Sequence, residues 1–331
     1  MSKGLEIIES WQRDEHSTDS SRRNVAIRLR SLYELLAGQL FCQYEPTKIT
    51  SPRITRDFLY RLERWLEGFQ SDDDRWAAFR SIEYLFFAGQ DEFAELYRCA
   101  HDHVLTKWLV EVEDLDIFSP AIDDHLRDAL DACWPCPVTD SLRINGFLHL
   151  TGMKGQDLRP DWMSLRKLGS TEKIKVYVKE NKIKYLVLLE DFVGSGGQLS
   201  RTLKFAASTF DGPILVVPLI ICAPGHRQIE LDLHKIGRRD IRYEPMLVLD
   251  DTCLVGKAPN AGEPKLFEAL RKALGVSYKR MRANLNGEEF GWEYVGSLAV
   301  MYSNCPNNTP PMFYYNSSRA WKPIFPRASR N

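Results

Sequence analysis

The chain has 331 residues, 44% hydrophobic and 27% charged, which is enough apolar material for a substantial core and enough length for two ordinary domains. Its 44 Lys plus Arg nearly cancel its 45 Asp plus Glu, leaving a formal net charge of −1, so no global field draws the protein to nucleic acid. The opening stretch MSKGLEIIES is charged, and no window reaches the roughly 18 apolar residues of a membrane span, so a cytoplasmic protein without a membrane partner is expected.

In chain order, Val25, Leu29, Leu32, Leu36 and Leu40 repeat at spacings of three and four and predict a helix. A second helix follows Pro52, where Ile54, Phe58, Leu62, Trp65, Leu66 and Phe69 form one apolar stripe and Gly68 marks the stop. A third starts after Ser71. The acids Asp72 to Asp74 then complement the helix dipole in a first turn and need not bind metal. Residues 92–113 carry Phe93, Leu96, Tyr97, Val104, Trp108 and Leu109, an aromatic stripe that reads as core.

Seven scattered cysteines suit a reducing compartment better than a disulfide framework. Cys133 and Cys136 have the spacing of half a zinc site, but no second pair stands at a matching distance. Near residue 135 the texture changes from helical to alternating short β-rich runs and helices. The expected organisation is an α-helical region over 1–135 and an α/β domain over 136–331. Strands are expected at 146–150, 184–189, 214–221, 245–249 and 296–302, mostly as continuous apolar runs covered on both faces. Helices are expected at 226–236 and 264–274. The alternating stretch 174–178 is also assigned to helix, because Ser170 offers an N-cap and a parallel pair needs a crossover.

The segment that carries chemistry is YLVLLEDFVGSGGQLSRTLKFAA, from Tyr185 to Ala207: a buried strand, two acids, a glycine-rich turn and a helix. Gly194, Gly196 and Gly197 allow backbone angles closed to other residues and close approach of a ligand. The N–H groups of such a turn at a helix N-terminus suit a phosphate, with Ser195 as an added hydroxyl donor. Glu190 and Asp191 are placed to accept hydrogen bonds from vicinal sugar hydroxyls. Phosphate and diol together describe a ribose 5-phosphate.

This segment resembles the ribose-phosphate motif of type I phosphoribosyltransferases. The stretches CPVTDSLRINGF, HLTGMKGQDL, NCPNNTPPMFYY and WKPIFPR are further similar to the phosphoribosyltransferase-like domain of bacterial conflict systems. The resemblance implies an α/β fold, a type I phosphoribosyltransferase-like parallel sheet with flanking helices, preceded by the α-helical N-terminal region. It implies that Glu190 and Asp191 hold the ribose hydroxyls, that Gly194, Ser195, Gly196, Gly197 and Gln198 wrap the phosphate, and that Phe192 or Val193 packs against the base. Lys154, between Gly152 and Gly155, would meet the pyrophosphate. Mg²⁺ is the implied cofactor, held by ligand oxygens with no direct protein ligand.

Proteins of that group serve as effectors in antiviral defence, some beside retron reverse transcriptases, so the implied partners are a ribosyl-phosphate small molecule and a defence-system protein. Two departures stand out. Gln198 replaces a phosphate-binding Thr, and Gly194 replaces the acid that accepts a base proton in purine-specific members. The alternative to an enzyme is a non-catalytic module that senses a ribosyl nucleotide. Asp250 and Asp251 also end a strand, but no glycine loop follows them, and a solvated strand end is expected. The Pro- and Asn-rich segment from Asn304 is expected to pin the chain terminus against the sheet with its aromatic anchors.

Overall fold

The computed structural model describes residues 2–13, 20–46, 57–153, 170–281, 288–317 and 321–328. Its strands are β1 (Phe86–Ala88), β2 (Cys133–Pro137), β3 (Tyr185–Val193), β4 (Ile214–Cys222), β5 (Ile241–Tyr243), β6 (Leu247–Leu249) and β7 (Ala299–Met301). The chain divides into two compact units, Met1–Gln90 with Asp250–Asn331, and Asp91–Leu249. The expected boundary near 135 lies inside the second unit, within β2.

The second unit holds the parallel sheet, in the order β2-β3-β4-β5 with β6 also paired to β4. Every residue of β4 is buried, as expected for a central strand covered by helices on both faces. Helices Thr171–Glu180, Gly197–Thr209 and Ala223–Ile236 supply the crossovers. The expected helix at 174–178 is present, and the Ser170 side chain caps it by accepting from the Lys173 N–H.

The first sheet strand differs from expectation. The 146–150 run is part of the helix Ile144–Thr151, which buries Phe147 and Leu148 and ends at Gly152 in the left-handed region, φ +70°. Its apolar residues Ile144, Phe147 and Leu148 follow helical spacing. The strand is instead β2, with the sequence CWPCP. Prolines 135 and 137 disguised it, because proline cannot donate to a ladder; β2 tolerates them as an edge strand, paired among the described residues only to β3. Cys133 and Cys136 lie three apart on this strand, so they project to opposite faces and cannot chelate one ion together.

In the first unit, helices Lys3–Arg13, Ser20–Gln39, Phe58–Leu66, Asp72–Ser81 and Leu266–Met281 surround an aromatic core. The predicted cap at Ser71 is in place, its side chain accepting from the Asp74 N–H. Pro52 and Ile54 lie outside the described residues, and the helix after them starts at Phe58 with Asp57 as its cap. The expected strand at 296–302 shrinks to β7, and it pairs with β1 in a separate two-stranded sheet and not with the main one.

The segment from Asn304 does pin the chain terminus, but against the helices of this unit. The indoles of Trp65 and Trp321 both donate to the Met312 carbonyl, at 2.8 and 3.0 Å. Tyr44 donates to the Pro326 carbonyl at 2.9 Å and Arg61 to the Ile324 carbonyl at 2.7 Å. Arg61 is 1% exposed, and burial lowers its pKa to about 10. Arg61→Ala should therefore destabilise the protein by about 2–4 kcal/mol, since it strands a buried carbonyl and leaves a cavity. Chemical denaturation measures this, and a midpoint unchanged from wild type would show that the arginine does not hold the terminus.

Candidate functional site

Strand β3 runs on through both acids, so Glu190 and Asp191 belong to the sheet and not to the loop after it. It is bonded to β2 up to Leu189 and to β4 as far as Val193. The β2 ladder ends just before the acids, and β4, paired at Glu190 and again at Phe192, carries them to the carboxyl end of the parallel sheet, where ligands of open α/β sheets bind. Both acids are buried, at 4% exposure each.

The chain leaving β2 reaches across to them. Val138 donates its N–H to the Leu189 carbonyl at 2.9 Å, which continues the β2–β3 ladder for one step. Glu190 then accepts from the Thr139 N–H at 3.0 Å and from the Thr139 hydroxyl at 2.6 Å. Asp191 Oδ1 accepts from the Ser141 hydroxyl at 2.8 Å and from the Phe192 N–H at 2.8 Å. Sequence reasoning assigned no role to Thr139 or Ser141. Their segment stood out only as part of CPVTDSLRINGF, and with β2 hidden by its prolines nothing placed it beside β3.

Beyond β3 the chain turns through Gly194 to Gly196 into the helix Gly197–Thr209. Gly196 is the N-cap at φ +88°, a conformation that side-chain-bearing residues rarely adopt, and its carbonyl accepts the Ser200 N–H at 2.8 Å. The first N–H groups of a helix have no partner within it, so this turn offers donors and the positive end of a dipole. Gly194 and Gly196 are buried, Ser195 and Gly197 half-buried, and Gln198 exposed. Val193 is buried in the core beneath the helices, while Phe192 is half-buried. Lys154 lies outside the described residues.

A second helix start backs the loop. Ala223–Ile236 begins directly after β4, with Gly225 in its first turn. A Cβ on Gly225 would meet the Gly194 carbonyl oxygen at 2.6 Å, and one on Gly196 would meet Gly225 Cα at 3.1 Å and Gln228 Cβ at 3.2 Å. Gly196 and Gly225, at two helix starts, thus allow backbone to pack on backbone. Gly225 is another residue that sequence reasoning passed over; its only local signal is the Pro-Gly pair after an apolar run.

The two helices are clamped one turn further on. Lys204 Nζ lies 2.8 Å from Asp232 Oδ1 and donates to the Ser200 hydroxyl at 3.0 Å, and Gln228 donates to Asp232 Oδ2 at 3.1 Å. Asp232 is fully buried. Burial pushes its pKa up, but hydrogen bonds from Lys204, Ser200 and Gln228 outweigh this and hold it below its ordinary 3.8. A folded-state pKa below the unfolded one means stability that is present above 3.8 and lost as pH falls through the lower folded value. Asp232→Asn should cost about 1–3 kcal/mol at neutral pH, and the deficit should shrink only below that ordinary value. Denaturation midpoints of both proteins against pH measure it; a gap that narrows well above pH 5 would place the titrating group elsewhere.

Among the described residues, no group of three or more His, Cys, Asp or Glu is arranged to hold a metal ion, and no helix is long and apolar enough to cross a membrane. Comparison with protein families matches residues 62–327 to the family described as PRTase-CE. The chain belongs to this family. It therefore carries a phosphoribosyltransferase-like domain, and the match spans most of both compact units. Searches of the curated proteins and of the solved structures found no match.

Proposed function

We propose that this phosphoribosyltransferase-like protein binds a 5-phosphoribosyl ligand, a pyrophosphate donor or a nucleotide, together with Mg²⁺, and serves as an effector in bacterial antiviral defence by ribosyl transfer or glycosidic cleavage. The observation that carries the reading is the succession, at the carboxyl end of one parallel sheet, of two buried carboxylates and a glycine turn at φ +88° opening a helix. Carboxylates accept from a diol, and the N–H groups of such a turn donate to a phosphate.

In such a ligand the bond from the anomeric carbon to the pyrophosphate oxygen, or to the base nitrogen of a nucleotide, breaks with the electron pair going to the leaving group. The acceptor supplies a new pair to that carbon and releases its proton to solvent. Charge clamping does most of this work, so no nucleophilic side chain is required. Two carboxylates are hard oxygen donors that fit Mg²⁺ held mainly by ligand oxygens, and the ion would neutralise charge on the leaving pyrophosphate. Glu190 and Asp191 orient the ribose, and the turn from Gly194 to Gln198 anchors the phosphate.

A sensing role without turnover is the second reading, and Gly194 favours it, because no acid stands there to take a base proton. The two separate on one assay: the protein with 5-phosphoribosyl pyrophosphate and Mg²⁺, scored for pyrophosphate release with and without purine bases. Release that is not stimulated by hypoxanthine or guanine is expected. Binding without consumption under any acceptor would leave the sensor, and salvage-rate stimulation by a purine would replace the defence reading with nucleotide salvage.

A further inference from the structure

The hydroxyls of Thr139 and Ser141 stand side by side, their oxygens 2.5 Å apart, and each serves a different member of the acid pair, Thr139 to Glu190 and Ser141 to Asp191. Two neighbouring hydroxyls, each giving its one proton to a different carboxylate, have the arrangement that the cis hydroxyls of a furanose would adopt at the same acids. We propose that Thr139 and Ser141 are a built-in stand-in for the sugar diol, so that the loop after β2 closes the site and a ribosyl ligand must displace it. The inference rests on the reading of Glu190 and Asp191 as the diol-binding acids.

Three further observations support displacement over a permanent fixture. The acids are 4% exposed with the loop in place, while Thr139 and Ser141 are half-buried and Asp140 between them is exposed, so the loop is a cover with solvent on its outer side. The bonds from the loop to the acids include the Thr139 N–H and the two hydroxyls, and the Ser141 N–H donates back to Thr139 Oγ1 at 3.3 Å. The hydroxyls are replaceable in kind, since a ribose brings two donors to the same oxygens and leaves neither carboxylate stranded. Tethering gives the internal hydroxyls a high effective concentration, so the apparent affinity for ligand falls by the fraction of molecules in which the loop is open. A ligand lacking one hydroxyl cannot replace both bonds, which makes the loop a filter for ribose over 2-deoxyribose.

The test uses the full chain and its Thr139→Val, Ser141→Ala double variant, titrated calorimetrically with ribose 5-phosphate, 2-deoxyribose 5-phosphate and inorganic phosphate, each with Mg²⁺. The variant is expected to bind ribose 5-phosphate about tenfold or more tighter than wild type, with inorganic phosphate unchanged. Ribose 5-phosphate bound equally or more weakly, with inorganic phosphate unchanged, would overturn the proposal and leave the hydroxyls as props for the carboxylates. If the double variant does not fold, Ser141→Ala alone removes one of the two competitors and should still tighten ribose 5-phosphate several-fold; weaker binding overturns the proposal there too. If neither protein binds ribose 5-phosphate or inorganic phosphate, the ligand assignment itself fails and takes the cover with it. If both bind phosphate alike and the sugar gains nothing, the cover alone is lost.

Discussion

A Gly196→Val protein should fold and yet lose its affinity for ribose 5-phosphate by a factor of about one hundred or more. Two penalties fall on the same position. At φ +88° a β-branched residue is strained by roughly 1–3 kcal/mol, and the added Cβ would sit 3.1 Å from both Cα and the carbonyl oxygen of Gly225. The strain is most cheaply relieved by moving the turn, and a turn moved by a fraction of an ångström would lose the N–H arrangement proposed to hold the phosphate. The helices of the first unit have no part in this turn, so thermal unfolding should show a lowered midpoint but a single native state. Calorimetric titration with ribose 5-phosphate and Mg²⁺ is the measurement, and an affinity equal to wild type would remove the phosphate-loop assignment. Gly225→Ala probes the same contact from the other side: its Cβ would lie 2.6 Å from the Gly194 carbonyl oxygen, and a parallel loss is expected.

Asp191→Asn should lower turnover by about a hundredfold or more if the protein is an enzyme, with little change in stability. The amide keeps an oxygen for the Ser141 hydroxyl and the Phe192 N–H, now 2.8 Å from Asp191 Oδ1, so the local geometry has every reason to persist. What disappears is the negative charge proposed to stand beside the sugar, which a preorganised site would use to orient the ribose and to favour the positive charge that develops at the anomeric carbon. Pyrophosphate release under single-turnover conditions reads the effect. A turnover within a few-fold of wild type would exclude Asp191 from the reacting centre, and a wild type that never consumes a bound donor would leave only the effect on binding.

The order strand, acid pair, glycine turn, helix was legible in the sequence because each part is a short-range signal. Apolar runs, turn glycines and helix starts act over a few residues, and each is written locally. The same holds for the caps at Ser71 and Ser170, where a hydroxyl reaches an N–H three residues on. Local signals failed where a tertiary partner overrode them. CWPCP became a strand because an edge position forgives its prolines, and 146–150 became a helix because its apolar residues had one face to bury. The 296–302 run joined a sheet other than the one expected, since nothing within a strand says which partner it will find.

The sequence by itself settled what kinds of group this protein can offer a ligand: two acids, a row of backbone donors and a hydroxyl. Tertiary structure decided what those groups face. Thr139 and Ser141 meet the acid pair across about 50 residues of chain because β2 and β3 pair in parallel with Pro137 opposite Leu189. Gly225 comes to lie against Gly194 and Gly196 because β3 and β4 are neighbours in register and each feeds a helix at the same end of the sheet. Parallel pairing brings distant segments to one edge through crossovers whose lengths carry no trace of the residues they juxtapose. Whether the acids stand open or covered is for that reason a property of the folded chain.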